Sequence, residues 1–283
     1  MSPRRIVLAA IILIGFSRCC DATQIVVVVA HDGIVVASDS KQRERSGSDL
    51  GVSPEPANKV IIMNDLAAVA VVGTGNMRFT RAAEVVYSFD SMALLDGIKH
   101  SLPANAPISL IESVIVDKLK STMDSLSPYV ANGFFNKQNA PEGDIVDFVL
   151  IGYERRIPTV LNIRVECDWD TRKIATPIVE SMNPLPNRPV DSNILFFGRS
   201  LSILNAADPA SAERKAATER YPGAISGLDV SRTSRAVSST EGLGIAADLI
   251  RLEAEFGSEY VGPPINIVVL STTDAPRVSV LAK

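Results

Sequence analysis

Residues with reactive side chains are few in this chain of 283 residues. It has two histidines, His31 and His100, and three cysteines, Cys19, Cys20 and Cys167. A zinc site made of histidine and cysteine needs more ligands than these, and the ones present lie far apart in the sequence. A histidine base for a serine or cysteine nucleophile is also poorly supplied. We therefore predict no metal and no cofactor, and any enzymatic proton transfer must use another kind of group.

The first 22 residues have the pattern of a secretory signal peptide. A basic start is followed by an apolar run over residues 6–16, which is too short to span a membrane. Cys20 and Ala22 are the small residues that predict cleavage between Ala22 and Thr23. The alternative is a lipoprotein signal with Cys19 or Cys20 lipidated. Residues 23–283 are then a single domain that is secreted or periplasmic.

Cleavage after Ala22 would give Thr23 the chemistry of an N-terminal nucleophile. A threonine hydroxyl is a weak nucleophile unless a base removes its proton. A threonine at the N-terminus carries its own base, because the unperturbed pKa of an α-amine is about 7.7–8.0. Such an amine transfers protons near neutral pH without any histidine.

The composition is that of a folded protein with no excess of basic residues. The hydrophobic fraction is 46%, the charged fraction is 21% and the formal net charge is −4. This balance predicts no nucleic-acid partner and no anionic membrane surface as a partner. Cys167 is the one cysteine beyond the predicted signal peptide, so no internal disulfide is expected.

The order of predicted elements alternates groups of strands with pairs of helices. Apolar runs predict two hairpins at the start, and the turn Asp32-Gly33 joins the first pair of strands. Apolar residues at helical spacing from Ile108 to Leu126 predict an amphipathic helix. Strands are predicted at 24–30, 34–38, 60–63, 67–72, 146–151, 159–165, 174–179, 193–197, 265–270 and 278–281, helices at about 76–98, 108–126, 200–220 and 235–256, and polar loops at 41–58 and 128–143. This order favours two sheets with helices outside them.

Several short motifs in the first 80 residues resemble those of the β-type subunits of the proteasome, a family of N-terminal-nucleophile hydrolases. The matching segments are Thr23-Gln24-Ile25-Val26, residues 31–40 (HDGIVVASDS), Asn58-Lys59-Val60-Ile61 and residues 71–75 (VVGTG). The resemblance covers about residues 23–100 and is weaker beyond them. It implies an α+β fold, a four-layer αββα sandwich with two antiparallel sheets between helix pairs.

The resemblance also implies a role for four residues. Thr23 would be the nucleophile, with its free amine as the base. Lys59 would favour the deprotonated hydroxyl through its positive charge, and Asp39 would keep Lys59 charged and in position. The backbone N–H of Gly73 would donate to the oxyanion. The implied substrate is a peptide or an acyl-amide, and the implied assembly is a homo-oligomer.

The later part of the chain departs from the family pattern. A Ser-Gly-Ser-like element is replaced by Gly198-Arg199-Ser200, and an Asp and a Ser before a Gly-Gly turn are replaced by Ser258 and Val261. Residues 205–232 have the character of an insertion. These departures leave three hypotheses: an exported threonine peptidase, a catalytically silent binding or ring-forming subunit, and an acylase acting on a small acylated compound.

Overall fold

The computed structural model describes residues 23–41, 43–46, 49–52, 57–72, 75–81, 84–133, 135–136, 143–182, 193–198, 201–233, 236–257 and 261–281. The strands are β1 Gln24–Val29, β2 Ile34–Asp39, β3 Arg43–Ser46, β4 Asp49–Val52, β5 Val60–Asn64, β6 Ala67–Val72, β7 Asn76–Arg81, β8 Glu84–Asp90, β9 Asp144–Glu154, β10 Ile157–Asp168, β11 Lys173–Ile174, β12 Ile178–Ser181, β13 Asn193–Gly198, β14 Ile265–Leu270 and β15 Arg277–Leu281. The helices are α1 Ser91–Ser101, α2 Ile108–Ala131, α3 Leu201–Ala206, α4 Ala212–Arg220, α5 Pro222–Thr233 and α6 Ser239–Phe256. The predicted signal peptide, residues 1–22, lies outside the described residues.

The first large sheet contains the N-terminal hairpin. Its strand order is β13-β1-β2-β14-β15, and every neighbouring pair is antiparallel. All residues of β1 and β2 are buried. Their continuous valine and isoleucine content is typical of strands covered on both faces. The predicted hairpin is confirmed, with a backbone hydrogen bond of 2.8 Å from Ala30 N–H to the Gly33 carbonyl.

The second large sheet has the order β11-β10-β9-β6-β5, and β12 also pairs with β10. Its pairs are antiparallel as well. The chain is therefore α+β with antiparallel sheets, as predicted. Val72, the last residue of β6, pairs with Asp147 of β9.

Three apolar clusters pack against the two large sheets. One cluster joins the sheets to each other and contains Ile25 and Val27 of β1 together with Ala70 and Val72 of β6. The next residues along each strand face helices instead. The second cluster packs β9 residues Val146, Phe148 and Leu150 against Ile111, Ile115 and Leu119 of α2, and the third packs β1 residues Val26 and Val28 against Ile245, Leu249 and Leu252 of α6.

The predicted helix over 76–98 is wrong in its first part. Residues 76–90 form the hairpin β7–β8, with Met77 opposite Phe89. Tyr87 and Phe89 are buried whereas Ser88 is exposed, which is the two-residue period of a strand. Aromatic side chains on such a surface outweigh the helical preference of the neighbouring alanines. The helix α1 begins only at Ser91, and the carboxylate of the preceding Asp90 accepts hydrogen bonds from the N–H groups of Met92 and Ala93 in its first turn.

Other predicted boundaries also change. The polar loop over 41–58 contains the hairpin β3–β4, and the predicted strand over 174–179 is two short strands, β11 and β12. α2 continues to Ala131, into the loop predicted over 128–143, because Val130 extends the buried stripe one turn beyond Leu126. The predicted helix over 200–220 is interrupted, and α5 was not predicted.

In the described part of the chain, no helix is both long enough and apolar enough to cross a membrane.

Candidate functional site

Thr23 lies at the start of the central strand pair of the first sheet. It directly precedes β1, which is bonded to β13 on one side and to β2 on the other, and Thr23 itself is 5% exposed. Gly198, opposite Gln24 on β13, lies against the Thr23 carbonyl. A Cβ atom at Gly198 would lie 1.9 Å from the Thr23 carbonyl oxygen, and the φ angle of Gly198 is +80°. Only glycine fits this close approach in this backbone conformation.

Asp39, the last residue of β2, connects two parts of the predicted site. Its Oδ1 accepts a hydrogen bond of 2.8 Å from the Gln24 backbone N–H and one of 2.9 Å from Lys59 Nζ. The ammonium group of Lys59 and the residue after Thr23 are therefore held by one carboxylate oxygen. The predicted pairing of Asp39 with Lys59 is observed.

Lys59 is positioned by the second sheet. It directly precedes β5, and its carbonyl accepts a backbone hydrogen bond of 2.8 Å from Val71 of β6. Only 7% of Lys59 is exposed, and Asp39 is completely buried. A lysine that precedes a strand is usually solvated, so its burial here is a consequence of the way the two sheets pack.

Burial shifts the pKa values of this pair in opposite directions. Burial raises the pKa of Asp39 to about 6, although the positive charge of Lys59 and the N–H groups of Gln24 and Lys41 favour its ionised form. Burial lowers the pKa of Lys59, and the negative charge of Asp39 opposes that change. In this environment the negative charge of Asp39 favours the protonated, positively charged form of Lys59.

Gly73, the predicted oxyanion donor, lies outside the described residues. So do Ser200 and Ser258, which stand where the sequence departs from the family pattern. The preceding residue, Val72, is described, and its Cγ1 lies 3.5 Å from the position of a Cβ atom built on Gly198. The end of β6 is therefore close to the backbone of Gly198 and Thr23.

The structure adds buried polar residues that the sequence analysis did not single out. Glu253 of α6 is completely buried, and its Oε2 accepts hydrogen bonds of 2.8 and 3.4 Å from the N–H groups of Ser202 and Ile203, at the start of α3. Gln24 of β1 is also completely buried. A signal for Glu253 was present, because an acidic residue follows Leu249 by one turn on the apolar side of a helix.

Among the described residues, no three His, Cys, Asp or Glu side chains gather as a metal site would require. The absence of a cofactor stays a prediction.

No family model matches this chain, and no curated protein matches it. A solved structure of the Anbu (Gly-1) mutant from Hyphomicrobium sp. strain MC1 is similar at 12% sequence identity, over 92% of this chain and 87% of that chain, with a TM-score of 0.49.

Proposed function

We propose that this protein is an exported amide-bond hydrolase whose nucleophile is an N-terminal threonine, Thr23. The observation that carries the proposal is the pair of hydrogen bonds to Asp39 Oδ1, from the Gln24 backbone N–H and from Lys59 Nζ. It brings Asp39 and Lys59 together beside the backbone of Thr23. Before the structure, the grouping of Thr23, Asp39 and Lys59 was implied only by the resemblance to the proteasome β-type subunits.

The proposal includes the fold and the processing of the chain. The cluster that joins the two sheets, and the helices packed on their other faces, support a four-layer αββα arrangement. Signal peptidase would cut after Ala22 and export the mature chain to the periplasm or the medium. That cut would give Thr23 its free amine, so self-cleavage would be unnecessary. A homo-oligomer is proposed from the resemblance alone.

The proposed reaction has two halves. Thr23 Oγ attacks the carbonyl carbon of a peptide or acyl-amide while the Thr23 amine takes the hydroxyl proton. The Lys59 ammonium lowers the cost of negative charge on the hydroxyl oxygen, and the Gly73 N–H donates to the oxyanion. The amine passes its proton to the leaving nitrogen, and an ester on Thr23 remains. Water then attacks that ester, and the amine takes a proton from the water. The bond between the acyl carbon and Thr23 Oγ breaks, the amine returns the proton to Oγ, and the acid is released.

The test combines N-terminal sequencing with a covalent probe. We expect the exported protein to begin at Thr23 and to gain the mass of an electrophile that reacts with a hydroxyl and an amine on the same residue. Thr23→Ala should abolish labelling and reduce hydrolysis on the order of 10³-fold or more, while Thr23→Ser should retain both. Thr122→Ala, at a half-buried site on α2, is the matched control and should label as the wild type does.

Three results would overturn this proposal. These are an N-terminus other than Thr23, a lipidated cysteine at the N-terminus, and equal labelling of the Thr23→Ala variant. A mature chain that begins at Thr23 but neither labels nor hydrolyses amides would support the silent binding or ring-forming subunit instead.

A further inference from the structure

Gln24 is a buried polar residue whose side chain has no hydrogen-bond partner among the described residues. The residue is 0% exposed, and neither its Nε2 nor its Oε1 makes a hydrogen bond to the described part of the chain. Val26 and Val28, which follow it on the same face of β1, pack in the apolar cluster under α6. A side-chain amide in such surroundings destabilises the folded state when it is left unsatisfied.

A second unsatisfied atom lies on the neighbouring strand. Ile25 pairs with Ser38, so Gln24 and Asp39 come next in the register of β1 and β2. Side chains at such opposed positions have Cβ atoms about 4.5–5.5 Å apart. Asp39 is 0% exposed, and its Oδ2 is without a hydrogen bond of normal geometry to a described residue. The Gln24 and Lys59 contacts both use Oδ1, and the backbone N–H of Lys41 also faces this carboxylate.

These three atoms have complementary hydrogen-bonding capacity. Gln24 Nε2 offers two donor hydrogens, whereas Gln24 Oε1 and Asp39 Oδ2 are acceptors. A water molecule can accept from the amide and donate to the carboxylate at the same time. Buried waters in proteins typically make about three hydrogen bonds to polar groups of this kind.

We infer that Gln24 and Asp39 form an internal water site, in which one ordered water accepts from the Gln24 amide and donates to Asp39 Oδ2. The site lies on the face of β1 that is directed towards α6. Thr23 falls on the opposite face by the alternation of the strand, together with Ile25 and Val27. The water would share the Asp39 carboxylate with Lys59, which bonds Oδ1, and its presence does not depend on the proposed hydrolase activity.

The Gln24→Leu variant distinguishes an amide bridged by water from an unsatisfied amide, because the two cases predict opposite changes in melting temperature. The two side chains are similar in size, so leucine in place of an unsatisfied amide would raise the melting temperature. If the water is present, Gln24→Leu removes the amide from which the water accepts, so the water at Asp39 Oδ2 loses that hydrogen bond. We then expect the melting temperature to fall, on the order of 2–4 °C for a chain of this size.

Ser38→Ala is the matched control. Ser38 is also 0% exposed, and its Oγ has no partner among the described residues. By the alternation of β2 it falls on the same face as Ile34 and Val36, which belong to the cluster between the sheets. Loss of its hydroxyl should leave the melting temperature unchanged or raise it slightly.

A crystal structure of the wild-type protein at about 1.5 Å tests the same site without any variant. Density for a water within hydrogen-bonding distance of both Gln24 and Asp39 Oδ2, together with a lower melting temperature for Gln24→Leu, supports the inference. A direct bond between the Gln24 amide and Asp39 Oδ2, an empty site, or a higher melting temperature for Gln24→Leu overturns it. None of these measurements uses catalytic activity, so the proposed function stands or falls separately.

Discussion

Gly198→Ala tests whether the backbone of Thr23 is held by close contact with β13. The added methyl group would lie 1.9 Å from the Thr23 carbonyl oxygen, so either strand must move by more than an ångström. The φ angle of +80° adds a cost of about 1 kcal/mol for any residue with a Cβ atom. Overpacking in a tightly packed interior typically costs about 1–3 kcal/mol. Together these effects predict a loss of about 2–4 kcal/mol in the free energy of unfolding.

The assay is guanidinium unfolding followed by circular dichroism, with thermal unfolding as a second measurement. A loss of this size lowers the melting temperature by roughly 5–15 °C for a chain of this length. If the exported protein is a hydrolase, the Gly198→Ala variant should also lose hydrolytic activity under conditions in which it is still folded, because the displaced atoms belong to Thr23.

Gly244→Ala is the matched control within α6. A Cβ atom at Gly244 meets nothing within 4 Å, and the helix interior favours alanine over glycine by about 0.5–1 kcal/mol. We expect this variant to be as stable as the wild type or slightly more stable. A Gly198→Ala protein with wild-type stability would refute the close packing of Thr23 on β13.

Substitutions at three acidic residues, Asp39, Glu253 and Asp147, test the contribution of their carboxylates to stability. Asp39→Asn should cost about 3 kcal/mol at neutral pH in urea unfolding, because it removes the negative charge that stabilises the buried Lys59 ammonium. Asp229→Asn, which breaks an ion pair whose carboxylate is half exposed, should cost less than about 1 kcal/mol. Equal effects would contradict the burial argument. Glu253→Ala should lower the free energy of unfolding by about 1–3 kcal/mol in the same assay, because the N–H groups at the start of α3 lose their acceptor. Glu253→Gln keeps an acceptor and should lower it less. No difference between the two variants would argue against the capping role. Burial and a nearby carboxylate raise the pKa of Asp147 to about 7, so the native state binds more protons than the unfolded state between pH 3.8 and 7, and the contribution of this residue to stability falls as the pH rises through that window. Asp147→Asn should weaken this decline in a series of unfolding curves from pH 4 to pH 8, and an unchanged slope would contradict the raised pKa.

The sequence by itself determined the elements whose signals are local. The valine and isoleucine runs around Asp32-Gly33 predicted the first hairpin, and apolar spacing from Ile108 to Leu126 predicted most of α2. Burial on both faces leaves a continuous apolar run, and burial on one face of a helix leaves a repeat of three or four residues. Such patterns are visible without knowing what the element packs against. The hairpin over 76–90 was missed because its aromatic alternation is mixed with good helix-forming residues.

The arrangement around Thr23 was decided by tertiary structure. The resemblance implied that Asp39 and Lys59 pair, but their burial and the shared oxygen follow from the packing of two different sheets. The contact of Gly198 with Thr23 joins two strands, β13 and β1, that lie far apart in the sequence. The burial of Gln24 depends on the elements that cover β1. No local pattern encodes a contact of this kind, because its free energy depends on which surfaces meet after the chain has folded.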